Sequence, residues 1–305
     1  MESLALLIGN TPLIKADHLI KKYQLSAKLY LKVEKYNLSG SVKDRIVYYI
    51  LKKLIEQKRI NQETTIIEAT SGNTGISIAC LCCYLKLSCI IVMPETASIE
   101  RTKYLKSYRA RIIYSPASEG MLGANKVVNE YLKTHHNVYS INQFANELGV
   151  LAHYETTGKE IYQQVENVDI FISGIGTGTT FSGCSKYLKE QNPNTLCVGV
   201  LPKGANILNG EKSSHQIEGI GPNFVPSTLD QSLIDEICEV SSQDALFYTK
   251  ELLEEGLFCG ISSGAALKAG IDYAKRLENQ NKTIVVILPD GGERYFSKQL
   301  GDEKC

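Results

Sequence analysis

From about residue 64 the chain alternates short β-branched runs with stretches of helical periodicity. Thr65-Ile66-Ile67-Glu68, Cys89-Ile90-Ile91-Val92-Met93 and Arg111-Ile112-Ile113-Tyr114 read as strands, with helices after Thr74 and after Ser98. The alternation repeats with Val168-Asp169-Ile170-Phe171-Ile172-Ser173, a helix through Tyr187, Cys197-Val198-Gly199-Val200-Leu201, and Ile284-Val285-Val286-Ile287-Leu288. Strands this uniformly apolar are buried on both faces, and strands alternating with helices predict parallel sheets with crossover helices, an α/β fold. Upstream, Ile46, Val47, Ile50, Leu51, Leu54 and Ile55 fall on one helical stripe, which puts Lys43 near a helix N-terminus. The irregular stretch from Pro202 to Thr228 contains Gly204, Gly210, Gly219, Gly221 and Pro222, and is too long for an idle connection. With no repeat, low-complexity tract or long linker, the 305 residues predict two closely packed domains.

Composition narrows the partners. An apolar content of 43% supplies a substantial core. Lys+Arg and Asp+Glu are equal at 33 each and no basic run stands out, so neither nucleic acid nor an anionic membrane is an expected partner. The longest apolar stretch, Ile76 to Val92, is broken by Lys86, and no spanning helix is expected. The opening residues, Met1 to Ile8, lack a basic region before Gly9-Asn10-Thr11-Pro12, so the expectation is a cytoplasmic protein without a signal peptide. Nine cysteines, an odd number, are expected as free thiols in a reducing compartment. Cys80 and Cys83 have C-x-x-C spacing but lie in an apolar helical pattern with no second pair at zinc spacing. They read as buried core residues, Cys259 as a packing residue, and no metal is expected.

Four glycine- and hydroxyl-rich segments stand where strands hand over to helices, which is where open α/β sheets bind ligands. In Ser39-Gly40-Ser41-Val42-Lys43-Asp44-Arg45 the lysine is either a solvated charge or an amine nucleophile kept neutral by the helix dipole. Glu68-Ala69-Thr70-Ser71-Gly72-Asn73-Thr74-Gly75 is either a capped helix start or a cradle for an anion such as an amino-acid carboxylate. Gly174-Ile175-Gly176-Thr177-Gly178-Thr179-Thr180 is either a structural turn or a phosphate cup; threonine at 179 excludes G-x-G-x-x-G, and no Walker lysine follows. Gly260-Ile261-Ser262-Ser263-Gly264-Ala265-Ala266 is a fourth hydroxyl-capped helix start. Together they offer an amine, a phosphate cup and a carboxylate cradle, the parts that pyridoxal phosphate chemistry on an amino acid requires.

In order and wording these segments resemble the cysteine synthase and cystathionine β-synthase branch of the fold-type II pyridoxal phosphate enzymes. The resemblance extends through Gly9-Asn10-Thr11-Pro12-Leu13, Met93-Pro94-Glu95-Thr96 with Ser98-Ile99-Glu100-Arg101, Gln143-Phe144, Thr156-Thr157-Gly158, Glu218-Gly219-Ile220-Gly221, and Pro289-Asp290-Gly291-Gly292-Glu293-Arg294-Tyr295. It implies two three-layer α/β domains with largely parallel twisted sheets, like the tryptophan synthase β chain. Residues 42–147 would form a smaller, mobile domain and residues 1–41 with 148–305 a larger cofactor-binding one, in a homodimer. It further implies that Lys43 forms the internal aldimine and takes the substrate Cα proton. Asn73 would bond the cofactor 3′-oxygen, Gly176, Thr177, Gly178, Thr179 and Thr180 would hold its phosphate, and Ser262, in preference to Ser263, would face the pyridine nitrogen. Thr70, Ser71, Gly72, Thr74 and Gln143 would bind the substrate α-carboxylate, with Gly219 also a substrate contact. The implied reaction is β-replacement through an aminoacrylate, foremost O-acetylserine plus sulfide giving cysteine. Closure of the segment Met93 to Lys106 would keep water from the intermediate.

The chain also departs from the family's usual wording. It has Asn37-Leu38-Ser39-Gly40 before the lysine, Thr179 in the cup, Asn146-Glu147-Leu148-Gly149-Val150 after Gln143-Phe144, and Leu201-Pro202 after the Cys197 strand. The changes near the entrance keep two alternatives open: cysteine as donor with release of hydrogen sulfide, forming serine or lanthionine, and serine condensing with homocysteine. The lack of a haem-binding extension before Gly9 and of a regulatory domain after Tyr295 points away from the elaborated cystathionine synthases. Lys203, Glu218 and Asp230 are either loop charges or contacts for a polar co-substrate. The alternative of another class is a non-catalytic homologue that binds amino acids.

Overall fold

The computed structural model describes residues 2–165, 167–205, 207 and 214–296. Its strands are β1 (Leu13–Lys15), β2 (Lys28–Val33), β3 (Thr65–Ala69), β4 (Ser88–Pro94), β5 (Arg111–Ser115), β6 (Val138–Ser140), β7 (Ile170–Gly174), β8 (Leu196–Pro202), β9 (Glu236–Val240) and β10 (Thr283–Leu288). The helices are α1 (Glu2–Ala5), α2 (Asp17–Lys22), α3 (Lys43–Glu56), α4 (Asn73–Leu85), α5 (Ile99–Ser107), α6 (Gly120–Thr134), α7 (Leu148–His153), α8 (Lys159–Gln164), α9 (Thr179–Gln191), α10 (Ser242–Glu251) and α11 (Ile261–Ala274), with a π turn at Tyr154–Gly158 between α7 and α8.

The strands make two sheets, one of four strands in the order β5-β4-β3-β6 and one of six in the order β1-β2-β10-β7-β8-β9. Every pairing is parallel except that of β1 with β2. Each sheet is the middle of three layers, and the period-2 alternation of the strands shows why. In the four-stranded sheet Ile66, Ile91 and Met93 pack with α3, α4 and Leu105 of α5, while Ile67, Ile90 and Val92 pack with Ala124 and Val128 of α6. In the six-stranded sheet Ile170, Ile172, Ile284 and Val286 join α11, whereas Phe171, Val285 and Ile287 join Phe181 and Leu188 of α9. Residues apolar on both sides of the pleat thus become the cores of two α/β sandwiches, the expected fold class.

Sheet topology places the site. In the larger sheet β7, β8 and β9 advance in one direction while β10 lies on the other side of β7; in the smaller sheet β3, β4 and β5 advance while β6 lies on the other side of β3. Such reversals open a crevice at the carboxyl ends of the strands. The segments that leave β7 and β10, and those that leave β3 and β6, are the Gly174, Pro289, Thr70 and Gln143 regions.

Two expectations are corrected. Cys83 is exposed, because Cys82 takes the core-facing position in the last turn of α4 and its neighbour, rotated by about 100° along the helix, turns outward. The run expected as a strand from Val168 is a strand from Ile170 to Gly174; Asp169, just before it, donates its N–H to Thr283 O at 3.0 Å, accepts from the Leu196 N–H at 2.9 Å, and takes the Thr283 N–H on its side-chain Oδ2 at 2.7 Å. Cys80 and Cys259 are buried, and burial pushes the Cys259 thiol up to about 12. Between Lys203 and Thr228 the described residues form no strand or α-helix, and Gly210 lies outside the described residues. Among the described residues no helix is long and apolar enough to cross a membrane, and no cluster of side chains has metal-binding character.

Candidate active site

Lys43 opens α3 and is placed by what pins the turn before it. The Asp44 carboxylate folds back onto Ser39, accepting from its backbone N–H at 2.6 Å and its hydroxyl at 2.5 Å. Arg294 donates to the Ser39 carbonyl from the other side, and Gly40, at φ +87°, makes the turn that leaves room for the guanidinium. The Val42 N–H donates to Pro289 O at 2.8 Å, tying the lysine to the end of β10. The Lys43 amine ends beside Thr177, 3.4 Å from Oγ1. Burial pushes its pKa down to about 8, against an opposing pull from Asp290. About one amine in ten is therefore neutral at pH 7, where an ordinary lysine would hold fewer than one in a thousand.

A cleft of about 580 Å³, partly open to solvent, surrounds this amine. Lys43, Asn73, Gly176, Thr177, Gly178, Thr180, Gly219 and Ser262 line it, together with Asp290 and Tyr295. The cup is bare backbone at the start of α9, drawn tightly against its surroundings. A Cβ on residue 176 would lie 2.1 Å from Gly219 O, and one on Gly178, at φ +84°, would lie 2.7 Å from Leu229 Cβ. Such a close-packed N-terminus presents N–H groups and hydroxyls to an anion. Thr179 does not line the cleft; it is buried and its hydroxyl bonds that of Thr177 at 2.9 Å. Ser262 lines the cleft, whereas Ser263 is fully buried outside the lining.

The two segments expected to cradle a carboxylate lie next to the cleft, although Thr70, Ser71, Gly72, Thr74 and Gln143 are not in its lining. The Thr74 hydroxyl donates to Gln143 Oε1 at 2.5 Å, bringing the segments after β3 and β6 together. Glu68, buried at the end of β3, accepts from the backbone N–H groups of Asn142 and Gln143 at 2.9 and 3.2 Å and so fixes the second segment. The Thr70 oxygen accepts from Gly72 N at 3.1 Å, while Ser71 and Gly72 are partly exposed. Of this loop only Asn73 reaches the cleft lining, where its amide donates to Asp290 Oδ2 at 2.7 Å and its carbonyl oxygen accepts from Arg294.

Asp290 is the residue that sequence reasoning passed over. It follows β10 in a Pro-Asp-Gly-Gly turn, and the handover from strand to loop that drew attention to the other segments was present here too. It is 1% exposed; Oδ2 accepts from Asn73 and from the Tyr295 hydroxyl at 2.6 Å, while Oδ1 is buried with no hydrogen-bond partner. Burial pushes its carboxyl above the usual range, opposed by those two hydrogen bonds. Glu218 also lines the cleft and is paired with Arg101 of α5.

An amine of lowered pKa, a glycine- and hydroxyl-rich helix N-terminus and a buried serine lining one cleft fit pyridoxal phosphate. These features suit an enzyme that works with pyridoxal phosphate. The chain belongs to the pyridoxal-phosphate dependent enzyme family, whose model matches residues 4–290, and pyridoxal phosphate is its cofactor. It is 44% identical to cysteine synthase B of Campylobacter jejuni over 98% of both chains. Among solved structures it superimposes on a hydrogen sulfide-producing enzyme from Fusobacterium nucleatum with a TM-score of 0.91 at 39% identity, covering 97% of this chain and 99% of the other. It matches an O-acetylserine dependent cystathionine β-synthase from Helicobacter pylori with a TM-score of 0.89 at 37% identity over 98% of both chains.

Proposed function

We propose that the protein replaces the β-substituent of a serine-like amino acid, with O-acetyl-L-serine plus sulfide giving L-cysteine and acetate as the leading reaction. The observation that carries this reading is the Lys43 amine, lowered to about 8 beside the cup, in a chain 44% identical to a cysteine synthase. Bound pyridoxal phosphate supplies a carbonyl for amines and an electron sink for the bond broken at Cα.

The chain's own residues do the rest. Gly176, Thr177, Gly178 and Thr180 hold the phosphate, with Thr179 bracing Thr177. Ser262 would meet the ring nitrogen, and a hydroxyl there would leave the ring a weaker electron sink than a carboxylate, which suits β-elimination. Asn73, steered by Asp290 and Arg294, meets the ring oxygen. Thr70, Ser71, Gly72, Thr74 and Gln143 bind the substrate carboxylate, and Gly219 borders the substrate. Lys43 takes the Cα proton, the acetate leaves, sulfide adds at Cβ, and Lys43 returns the proton to Cα. Residues 42–147 act as the smaller domain, and α5 closes over the cleft through Arg101 and Glu218, excluding water. The family resemblance supports a homodimer, and the free thiols of the eight described cysteines support a cytoplasmic setting.

A second reading takes L-cysteine as the donor and releases hydrogen sulfide. It is favoured by the departures at Asn146 to Val150 and Leu201-Pro202 and by the likeness to the Fusobacterium enzyme. The visible spectrum of the protein during separate additions of O-acetylserine, serine and cysteine, with sulfide followed in the same cuvettes, tests both. A red-shifted band raised by O-acetylserine and cleared by sulfide is expected. The same band raised by cysteine with sulfide release, and little response to O-acetylserine, would transfer the assignment to cysteine breakdown.

A further inference from the structure

Behind the cup lies a fully buried histidine that the reaction above does not use. His153 ends α7, and its two ring nitrogens meet two hydroxyls: Nε2 lies 3.1 Å from Thr180 Oγ1 and Nδ1 lies 2.8 Å from Thr157 Oγ1. Two local features build this contact. The π turn Tyr154–Gly158 carries Thr157 under the ring, and such turns recur at functional sites. Gly183, on the second turn of α9, lets α7 approach so closely that a Cβ there would lie 2.4 Å from Val150 O and 2.7 Å from His153 Cβ.

Proton counting then fixes the direction of the chain. Burial, reinforced by the positive charges of Arg45 and Lys43, holds the His153 ring well below its ordinary pKa, so it is neutral, with one N–H and one acceptor nitrogen. The Thr180 hydroxyl has a single proton, and a phosphate oxygen only accepts. If that proton went to Nε2, Thr180 would turn a lone pair toward the anion.

We infer that His153 is a positioning residue for the cofactor phosphate: its Nε2–H donates to Thr180 Oγ1, which frees the Thr180 proton for the phosphate, while Nδ1 accepts from Thr157. Phosphate binding thereby selects one tautomer of a buried imidazole. The inference rests on the reading that Thr180 and its neighbours hold the phosphate.

The test uses the full chain stripped of cofactor. Its affinity for pyridoxal phosphate and for pyridoxal, which lacks the phosphate, is measured by absorbance titration. Histidine-labelled protein is followed by long-range ¹⁵N–¹H NMR with and without pyridoxal phosphate. The unsubstituted protein is expected to prefer the phosphorylated ligand, with His153 neutral and protonated at Nε2 when it is bound. His153→Phe is expected to lose about tenfold in affinity for pyridoxal phosphate, the scale of one misdirected hydrogen bond to a charged group, with affinity for pyridoxal unchanged. His153→Gln, which keeps an N–H donor, is expected to recover part of that loss. An Nδ1-protonated or doubly protonated ring in the bound state overturns the inference on the unsubstituted protein alone, even if His153→Phe fails to fold. So does an undiminished phosphate preference in His153→Phe. Equal affinity of the unsubstituted protein for the two ligands would instead remove the phosphate from the cup, and the proposed site would fall first.

Discussion

In the role proposed for it Lys43 acts only when uncharged, and two opposed influences set how often it is. Burial favours the neutral amine, while the Asp290 carboxylate favours the ammonium. Replacing the lysine tests its role directly: Lys43→Ala is expected to abolish the visible absorbance of the holoenzyme and reduce turnover by about a thousandfold or more, with the thermal midpoint of the apoprotein retained. A variant with normal turnover would sink the mechanism. Replacing the carboxylate tests the balance. In Asp290→Asn the pull toward the ammonium is gone and burial acts alone, so the lysine pKa falls and the amine is neutral at lower pH. The pH dependence of cofactor loading into the apoprotein is then expected to shift toward acid. An unmoved profile would show that Asp290 does not set the charge of the lysine.

At the scale of elements, α3, which opens with Lys43, is anchored by an ionic network. Arg45, two residues after Lys43, bonds Glu34 at 2.6 Å and Glu160 at 2.7 Å, and the fully buried Lys32 bonds Glu160 at 2.8 Å. Burial alone would raise the Glu160 carboxyl, but the Arg45 hydrogen bond and charge, with Lys32, outweigh it and hold the group at about 2. A carboxyl depressed in the folded state contributes stability that is full above its unfolded value, about 4.3, and is lost as pH falls toward the folded value. Denaturant midpoints measured between about pH 6 and 2 should therefore fall less steeply in Glu160→Gln than in the parent, from a lower starting stability because buried positive charge is left uncompensated. An equally steep fall in both would place the acid sensitivity elsewhere. The same network explains what the sequence concealed. The crossover strands of both sheets were legible because burial on both faces leaves an unbroken apolar run. Strand β2 was not, because Lys28, Tyr30 and Lys32 interrupt Leu29, Leu31 and Val33, and the reason a lysine can be buried there lies 128 residues away at Glu160. Strand β9, with Glu236 and Glu239 on a sheet edge, and the three-residue β6 were hidden by charge and shortness. In the site, the lysine turn and the cup were legible as glycine and hydroxyl wording, whereas Asp290 and His153 acquire meaning only from Asn73, Tyr295, Thr157 and Thr180, which the fold brings to them.

For the whole molecule, the contact between α5 and the loop after β8 stands out, because Arg101 and Glu218 join the two sandwiches beside the cleft that Glu218 lines. If α5 closes over the cleft as proposed, Arg101→Met weakens that closure by about 1 kcal/mol, the scale of a partly exposed ion pair. More water should then reach the site before sulfide does. Pyruvate and ammonia formed from O-acetylserine, relative to cysteine, are expected to rise roughly fivefold, and amide exchange in 99–107 to quicken. Unchanged partitioning would free α5 from any part in closure. The two sandwiches also differ in when they can be completed. The four-stranded sheet draws only on residues 65–140, a contiguous stretch. The six-stranded sheet has β10 at its centre, where Thr283 pairs with Lys28 on one side and Ile284 with Ile170 on the other. During synthesis the smaller sheet can therefore form while the larger is still missing its middle strand. Until residues near 288 leave the ribosome, β2 and β7 have no partner between them, and their open edges must be kept from pairing with another nascent chain.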